Sequence, residues 1–350
     1  MKISVIIPCR NEARHIREFL DSVQAQQLDP GWAMEILVAD GMSDDGTRPV
    51  LRDYAARAAN VFMIDNPGRI VSTGLNAAIE ACSGEIIVRM DAHTTYAADY
   101  VRECVHALIE SGADNAGGPW IARGRGRIGK AIAAAFQSRF CSGGGKSHDP
   151  DYEGEVDTVY LGCWPRDVFR KTGLFDTELV RNQDDEFNFR LRRGGGRIWQ
   201  SPRVKSCYSP RDSIAALFRQ YMQYGFWKVA VIRKHRALAA WRHLVPPLFV
   251  CSLVFGLALW IGASMLGMPH AAFWTGTAFA AEVALYLAAC IAASLPFART
   301  LDIRTLLLVP EVMAVYHVAY GLGFVLGVFR PLKRRGANST AAPLFTQLTR

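Results

Sequence analysis

Short apolar runs rich in β-branched residues recur along the first third of the chain, each followed by a polar turn and then by helical periodicity. Residues 2–7 read as a first strand, ended by Pro8-Cys-Arg-Asn-Glu12. Ile16, Phe19, Leu20 and Val23 then share one face of a helix. A second strand over 35–39 stops at Asp40, and Gly41-Met-Ser-Asp-Asp-Gly-Thr47 leads into a helix with Val50, Leu51 and Tyr54 on its apolar side. The pattern continues with a strand over 61–64, a helix over 72–81, a strand over 86–90 and a helix over 100–109. Strands that alternate with helices predict an α/β domain with a mostly parallel sheet and right-handed crossovers.

Past residue 240 the rhythm gives way to long apolar stretches. Residues 244–265 and 272–295 are each long enough to span a bilayer, with Glu282 the only charge in either. A third stretch, 306–329, carries Pro310, Glu311, His317 and Gly321-Leu-Gly323. The loop 267–271 lacks Lys and Arg, whereas 296–304 has Arg299 and Arg304. The excess of basic residues on inner loops puts 228–242 and 296–304 in the cytosol. Three full spans would then export Lys333-Arg-Arg335, against the same rule. Either the third stretch is re-entrant or interfacial, or the charges of the tail are overruled.

Charge sharpens this picture. Lys and Arg number 40 against 32 acids, net +8, and 228–242 holds five of the cations with no acid just before the first apolar stretch. That placement fits membrane lipids with anionic head groups rather than nucleic acid. Tyr221, Tyr224, Phe226 and Trp227 beside these cations suit an amphipathic helix over 211–243 on the membrane interface. The eight cysteines show neither a CxxC pair nor finger spacing, so they read as reduced packing residues of a cytosolic chain. The strand starting at Lys2 leaves no room for a signal peptide. There is no tandem repeat, no GxGxxG in the first turn and no Walker loop, which argues against dinucleotide and P-loop chemistry.

Candidate chemistry begins where the fourth strand stops. Ile86, Ile87, Val88 and Met90 are a buried-strand run, and Asp91-Ala92-His93 stands at its carboxyl end, where open α/β sheets bind ligands. In extended chain a carboxylate and an imidazole two residues apart point the same way, and both suit a divalent cation. The alternative is an Asp at a helix start beside an exposed His.

Four segments in order, Val5-Ile-Ile-Pro-Cys-Arg-Asn-Glu12, Val38-Ala-Asp-Gly-Met-Ser-Asp-Asp-Gly-Thr47, Gly74-Leu-Asn-Ala-Ala78 and 84–93, resemble the inverting glycosyltransferases of family 2 with the GT-A fold. The resemblance continues through Asp157-Thr-Val-Tyr-Leu-Gly162, Gly173-Leu-Phe-Asp176 and Asn182-Gln-Asp-Asp-Glu186 with Arg190, and covers about residues 2–230. It is with the succinoglycan-type (ExoA-like) exopolysaccharide glycosyltransferases in particular.

The resemblance implies roles for these residues. Asp91 would serve metal and diphosphate, with His93 as second metal ligand or as a direct diphosphate contact. Asp-x-His departs from the usual Asp-x-Asp, and losing a carboxylate weakens hard-ion binding and favours Mn2+ over Mg2+. Asp40 falls at a uridine contact; Ser43 and Asp44 are better placed to cap the next helix. Pro8, Arg10 and Glu12 are implied nucleotide-sugar contacts. Arg69 and Asn76 belong to the same group, with Asn76 alternatively holding a helix against a loop. In the family a Glu-Asp pair precedes an arginine and its aspartate is the general base. Counting back from Arg190 puts Asp184 on the base and Gln183 on the glutamate, on the acceptor side, with Asp185 as the fallback. Clustered carboxylates raise at least one pKa toward a useful range.

The glycine-rich 112–160, with Gly143-Gly-Gly145, Lys146 and His148, reads either as a mobile acceptor loop or as a flexible connector. Gln220-Tyr-Met-Gln-Tyr224 echoes the Gln-x-x-Arg-Trp acceptor motif of processive synthases, but Gln223 and Tyr224 stand in place of Arg and Trp, which argues against processive polymerisation. The expected organisation is a GT-A domain over 1–210 (donor half about 1–111, acceptor and base half about 112–210), the interface helix, a membrane region over 244–330 and a basic tail over 331–350. The function implied is transfer of sugar from a nucleotide sugar, UDP-linked, to a polyprenyl-diphosphate-linked saccharide at the inner membrane, with the catalytic domain cytosolic. The rivals are a polyprenyl-phosphate glycosyltransferase, a nucleotidyltransferase and a non-catalytic membrane scaffold of a synthesis complex.

Overall fold

The computed structural model describes residues 1–238 and 240–329. In chain order the elements are β1 (Lys2–Cys9), α1 (Ile16–Gln24), β2 (Ala33–Asp40), α2 (Thr47–Arg57), β3 (Val61–Asp65), α3 (Val71–Ala81), β4 (Ile86–Arg89), β5 (Thr94–Tyr96), α4 (Tyr100–Ser111) and β6 (Asn115–Gly118). There follow α5 (Gly126–Gln137), α6 (Arg139–Ser142), β7 (Gly154–Glu155), β8 (Tyr160–Pro165), α7 (Asp167–Thr172), α8 (Gln183–Arg193), β9 (Ile198–Gln200) and β10 (Ser206–Tyr208). The last five are α9 (Ile214–His235), α10 (Val245–Met265), α11 (Pro269–Ser294), α12 (Ile303–Leu306) and α13 (Val309–Phe329). They form two compact units, Met1–Ile121 with Gly145–Ser209, and Ala122–Gly144 with the chain from Pro210 onward.

The first unit is built on one sheet ordered β3-β2-β1-β4-β8-β6-β9-β7. β3, β2, β1 and β4 run parallel, β8 is antiparallel to both β4 and β6, and β9 pairs parallel with β6. Alternation along β1 sends Ile3, Val5 and Ile7 to a layer with Ile16, Leu20, Leu51 and Tyr100, and Ile6 to an opposite layer with Leu75, Ile87, Trp164 and Phe187. The parallel strands end in register, with Cys9 beside Asp40 and Asp40 beside Asp65. The loops that follow β1, β2, β3 and β4 therefore gather at one carboxyl edge, which sets the place of the site.

At the opposite end of β1 and β2 sits a buried polar knot. Glu35 receives Lys2 Nζ at 2.7 Å, Ser4 Oγ at 2.6 Å and the Ser83 N–H at 2.6 Å. Burial pushes its carboxyl up, but Lys2, Ser4 and Ser83 more than offset this and hold it down at about 2. Gly84 is required here, because a Cβ would lie 2.5 Å from Ser4 Oγ and 2.9 Å from the Lys2 carbonyl oxygen.

The second unit is helical. α9 is buried from Gly225 through Val231, on every side rather than along one stripe. Its partner is α13: a Cβ on Gly323 would meet the Met222 carbonyl oxygen at 2.0 Å, and one on Gly225 the Tyr320 oxygen at 2.0 Å. Small residues let the two backbones touch, as in membrane helix pairs. Phe226 and Trp227, expected on an amphipathic interface helix, are buried within the protein. Among the described residues, three helical segments are long and apolar enough to cross a membrane: Trp241–Met265, Pro269–Arg299 and Ile303–Phe329. The third is half buried at its most apolar stretch, 50% against 11% for the others. α13 within it is one continuous helix. The basic tail 331–350 lies outside the described residues.

The reading of 112–160 as loop or connector is also corrected. Residues 115–118 are a buried strand inside the sheet, and 126–137 are a helix of the second unit, with Ala131, Ile132 and Ala135 fully or almost fully buried. Glycine content misled, because here the glycines allow close backbone approach. A Cβ on Gly124 would sit 1.7 Å from the Gly129 oxygen.

Candidate active site

The β1 and β2 loops are laced together by backbone donors. Asn11 N–H donates to Ser43 Oγ at 2.7 Å, Glu12 N–H to Thr47 Oγ1 at 2.7 Å and Asp44 N–H to Asn11 Oδ1 at 3.0 Å. Asn11 can do this because it adopts a left-handed φ of 56°. Asp40 is fully buried, and its carboxylate accepts from Ser43 N–H at 3.1 Å, Ser43 Oγ at 2.5 Å and Arg48 Nη1 at 2.7 Å. Arg48 also reaches Asp65 at 2.7 Å and so ties the β2 and β3 ends. Asp40 thus orders this edge of the sheet. Neither Ser43 nor Asp44 caps α2, whose cap position is the left-handed Gly46.

Pro8 closes the loop side of β1. Arg10 stands behind it with Nη1 on the Arg69 carbonyl at 3.4 Å, and Arg69 is exposed with a φ of 59°. Asn76 lies buried on α3. Its amide donates to the Phe175 carbonyl at 2.8 Å and accepts the Phe175 N–H at 2.9 Å, which pins α3 to the segment before α8. The alternative of a helix-holding residue is the one seen.

β4 ends one residue earlier than its apolar pattern, and Asp91–Thr94 is a turn closed by Thr94 N–H on the Asp91 carbonyl at 3.1 Å. Asp91 and His93 therefore lie on a turn, where extended chain was expected. The Asp91 carboxylate is gripped by Arg89 through Nε at 2.8 Å and Nη2 at 2.7 Å. Its N–H donates to Tyr96 Oη at 2.6 Å, and Tyr96 donates back to its carbonyl at 3.1 Å. His93 Nε2 lies 2.8 Å from Glu12 Oε1. Among the described residues no three His, Cys, Asp or Glu side chains converge as a ready metal cage.

α8 begins at Gln183, so its first turn carries Asp184, Asp185 and Glu186. Glu186 is fully buried and pairs with Arg190 Nε at 2.9 Å, while Arg190 Nη2 donates to the Leu174 carbonyl at 2.7 Å. Asp184 is pushed above the usual carboxylate range by burial and then by the charge of Asp185, against the pull of Arg89. Arg89 in turn is held charged, against its burial, by Asp91 and then by Asp184. The buried guanidinium is thus hydrogen-bonded to the strand-end Asp91, and its charge also acts on Asp184 of α8. Tyr160 flanks this group, with Oη 2.6 Å from Thr94 Oγ1 and its ring stacked on Trp120 at 5.1 Å and 12°.

Arg89 and Arg48 are what sequence reasoning missed. The signal for Arg89 was a lone cation inside a buried apolar strand, which needs a carboxylate partner. Gln220 and Tyr224 lie in the second unit, where Gln220 Nε2 donates to Tyr224 Oη at 3.0 Å and Arg211 donates to Gln220 at 3.2 Å.

The model of the family "Glycosyl transferase family 2" matches residues 4–156. The succinoglycan biosynthesis protein ExoA of Rhizobium meliloti (strain 1021) is 32% identical over 267 residues, 76% of this chain and 80% of that protein. A dolichyl N-acetyl-alpha-D-glucosaminyl phosphate 3-beta-D-2,3-diacetamido-2,3-dideoxy-beta-D-glucuronosyltransferase of Methanococcus voltae is 27% identical, over 66% of this chain and 74% of its own. Among solved structures, the mannosyltransferase PcManGT from Pyrobaculum calidifontis in complex with GDP-Man and Mn2+ aligns with a TM-score of 0.55. It covers 93% of this chain and 87% of its own at 18% identity, a likeness of fold.

Proposed function

The chain belongs to glycosyltransferase family 2 and is a GT-A glycosyltransferase, and from that premise we propose that it moves a sugar with inversion from a UDP-sugar to a polyprenyl-diphosphate-linked saccharide. The observation that carries this reading is the Asp91–Arg89–Asp184 linkage. It joins a donor-side carboxylate to a carboxyl whose proton affinity is raised toward that of a useful base. Arg10 and Arg69 stand at the loop edge as cations for the diphosphate, and the laced β1 and β2 loops form the nucleotide seat. Two relatives support the acceptor class: ExoA is named for succinoglycan biosynthesis, and the Methanococcus voltae enzyme for a dolichyl-phosphate-linked aminosugar.

The residues divide the reaction simply. Asp184 accepts the proton of the acceptor hydroxyl as the oxygen attacks the anomeric carbon from the face opposite the leaving group. The C1–O bond breaks, and the electron pair departs on the diphosphate of UDP. Asp91, with His93 nearby in the same turn, would be the residue to hold a divalent cation. Such a cation, when bound, neutralises charge on the diphosphate. The three apolar helical segments would anchor the enzyme in the inner membrane with its catalytic unit cytosolic, where a lipid acceptor is confined.

The test is full-length protein in bilayers, offered radiolabelled UDP- and GDP-sugars with either polyprenyl phosphate or a polyprenyl-diphosphate saccharide. Label passing from a UDP-sugar to the lipid saccharide is expected. Label on polyprenyl phosphate alone would assign the lipid-charging reaction, and no transfer from any donor would favour the scaffold.

A further inference from the structure

α10 and α11 form a hairpin. Phe249 packs on Tyr286 with ring centroids 4.2 Å apart, Ser252 Oγ donates to Glu282, and Trp260 stacks on Phe279. About 20 residues in each arm, about 30 Å of helix, match one hydrocarbon core. The open end of the hairpin starts from Trp241–Leu244, where an exposed Trp241 stands beside Arg242 and His243, the composition of a membrane boundary.

α13 stays at that boundary. It begins soon after the hairpin ends, yet its middle still meets the start of α10: a Cβ on Gly321 would lie 2.6 Å from the Pro246 carbonyl oxygen. From Val309 to Gly321 the helix rises about 18 Å, which along the membrane normal would carry Gly321 past the middle of the core. Tyr316 Oη donates to the Ile132 carbonyl at 3.4 Å, and His317 Nε2 lies 3.2 Å from the Phe140 carbonyl. Ile132 and Phe140 belong to Ala122–Gly144, 23 residues whose two ends both join the first unit, too few to cross a bilayer twice. Beyond Gly321, α13 runs against α9, whose Arg219, Lys228, Arg233 and Lys234 are costly in hydrocarbon.

The uncovered side of α13 is an apolar stripe. Val312, Met313, Tyr316 and Ala319 are buried, whereas Val318 and Leu322, half-buried, share the open side with exposed Leu326 and Phe329. Near the start of this stripe α5 packs on α12, and the charge of Arg127 acts on Asp302. That junction gathers Arg123, Arg125, Arg127, Lys130, Arg299 and Arg304, all exposed, with Asp302 and Glu311 as nearby acids. Exposed Ile128, Ile303 and Leu307 lie among them. Cations interleaved with exposed apolar side chains suit a surface of anionic lipid.

We propose that α12 and α13 form an in-plane platform and not a third span, with the open stripe set in acyl chains and the basic junction on the head groups of anionic phospholipid. The leaflet is the one from which the hairpin starts, so both ends of α13 lie on one side of the membrane. The assignment rests on the reading of the α10–α11 hairpin as a membrane anchor.

The test uses full-length protein in vesicles, with Cys141, Cys207 and Cys251 replaced by serine and the remaining cysteines buried. A nitroxide is attached at Leu307→Cys, Val318→Cys, Leu326→Cys or Val254→Cys, and its depth is read from collisions with oxygen and a nickel chelate. Val254, exposed on α10, should report the bilayer centre. The three platform sites should share one shallow depth. A span would put Val318 about 16 Å deeper than Leu307, and that result would overturn the proposal. Labels at Leu307 and Leu326 shielded from both reagents would mean that protein, a second copy or a partner, covers the stripe, and would overturn the lipid assignment. Val254 in water would overturn the anchor reading and the proposal together. With spin-labelled lipids, phosphatidylglycerol should be immobilised at the protein in preference to phosphatidylcholine. Arg125→Ser, Arg127→Ser and Arg304→Ser should lower that preference, up to about fivefold per cation. No such preference in the unsubstituted protein would overturn the head-group role.

Discussion

Arg89 grips Asp91 with two parallel hydrogen bonds, at 2.8 and 2.7 Å, from inside a strand where it is only 5% exposed. A buried guanidinium is tolerated only with its charge matched, and here two carboxylates match it, Asp91 directly and Asp184 through space. The charges at the β4 end and at the start of α8 are therefore coupled through one side chain.

Arg89→Lys should disable the enzyme while leaving it folded. An ammonium cannot reproduce the two-pronged contact, so Asp91 loses its orientation, and a misplacement of this kind costs about 10²-fold in rate. Arg89 lowers the pKa of Asp184, so Arg89→Met should move the acid limb of the pH–rate profile to higher pH. An unmoved limb would separate Arg89 from the base.

Asp184→Asn should lose transfer by ~10²–10⁴-fold with donor affinity retained. The sign of its stability effect is also fixed. A carboxyl whose folded pKa is raised contributes fully below its unfolded value of about 3.9, and that contribution is lost as pH rises through the folded value. The Asn variant should thus melt no lower than wild type at neutral pH. Asp185→Asn removes a charge that raises Asp184, so it should stay active with its acid limb moved to lower pH.

Much of this site was legible in the chain, and the parts that were not have physical reasons. The strand-end positions of Asp40 and Asp91 followed from apolar runs, because burial on both faces of a parallel sheet writes itself into consecutive residues. The partners of Asp40 and Asp91 did not follow, since Arg48 and Arg89 are chosen by tertiary packing. Glu12 and His93 lie far apart in sequence and meet only when β1 and β4 pair. In the second unit, Gly321 and Gly323 stood out within an apolar stretch, yet nothing local named α9 as the partner that the close backbone approach at 323 reveals.

Glu35→Gln should cost stability rather than activity. A carboxyl held at about 2 contributes stability present above its unfolded value and lost as pH falls through about 2, ~3 kcal/mol at neutral pH. Chemical denaturation at pH 7 should show that loss, and donor binding by the folded fraction should be normal.

Gly323→Ala should destabilise the second unit by about 1–3 kcal/mol or more, since the added methyl would sit 2.0 Å from the Met222 carbonyl oxygen. A thermal melt in detergent checks this. Gly267, with open space at its Cβ, gives a comparison free of such a clash, though its φ of 65° also disfavours a side chain. The clash therefore predicts the larger loss at 323.

Displacement at the anomeric carbon with Asp184 as the base inverts that carbon, so the configuration of the product is the deciding readout. Nuclear magnetic resonance of the saccharide released from the lipid after one turnover reads the new linkage. The account predicts that an α-linked UDP-sugar gives a β-glycoside, with no such product from Asp184→Asn. A retained α linkage, or equal product from the Asn variant, would contradict it.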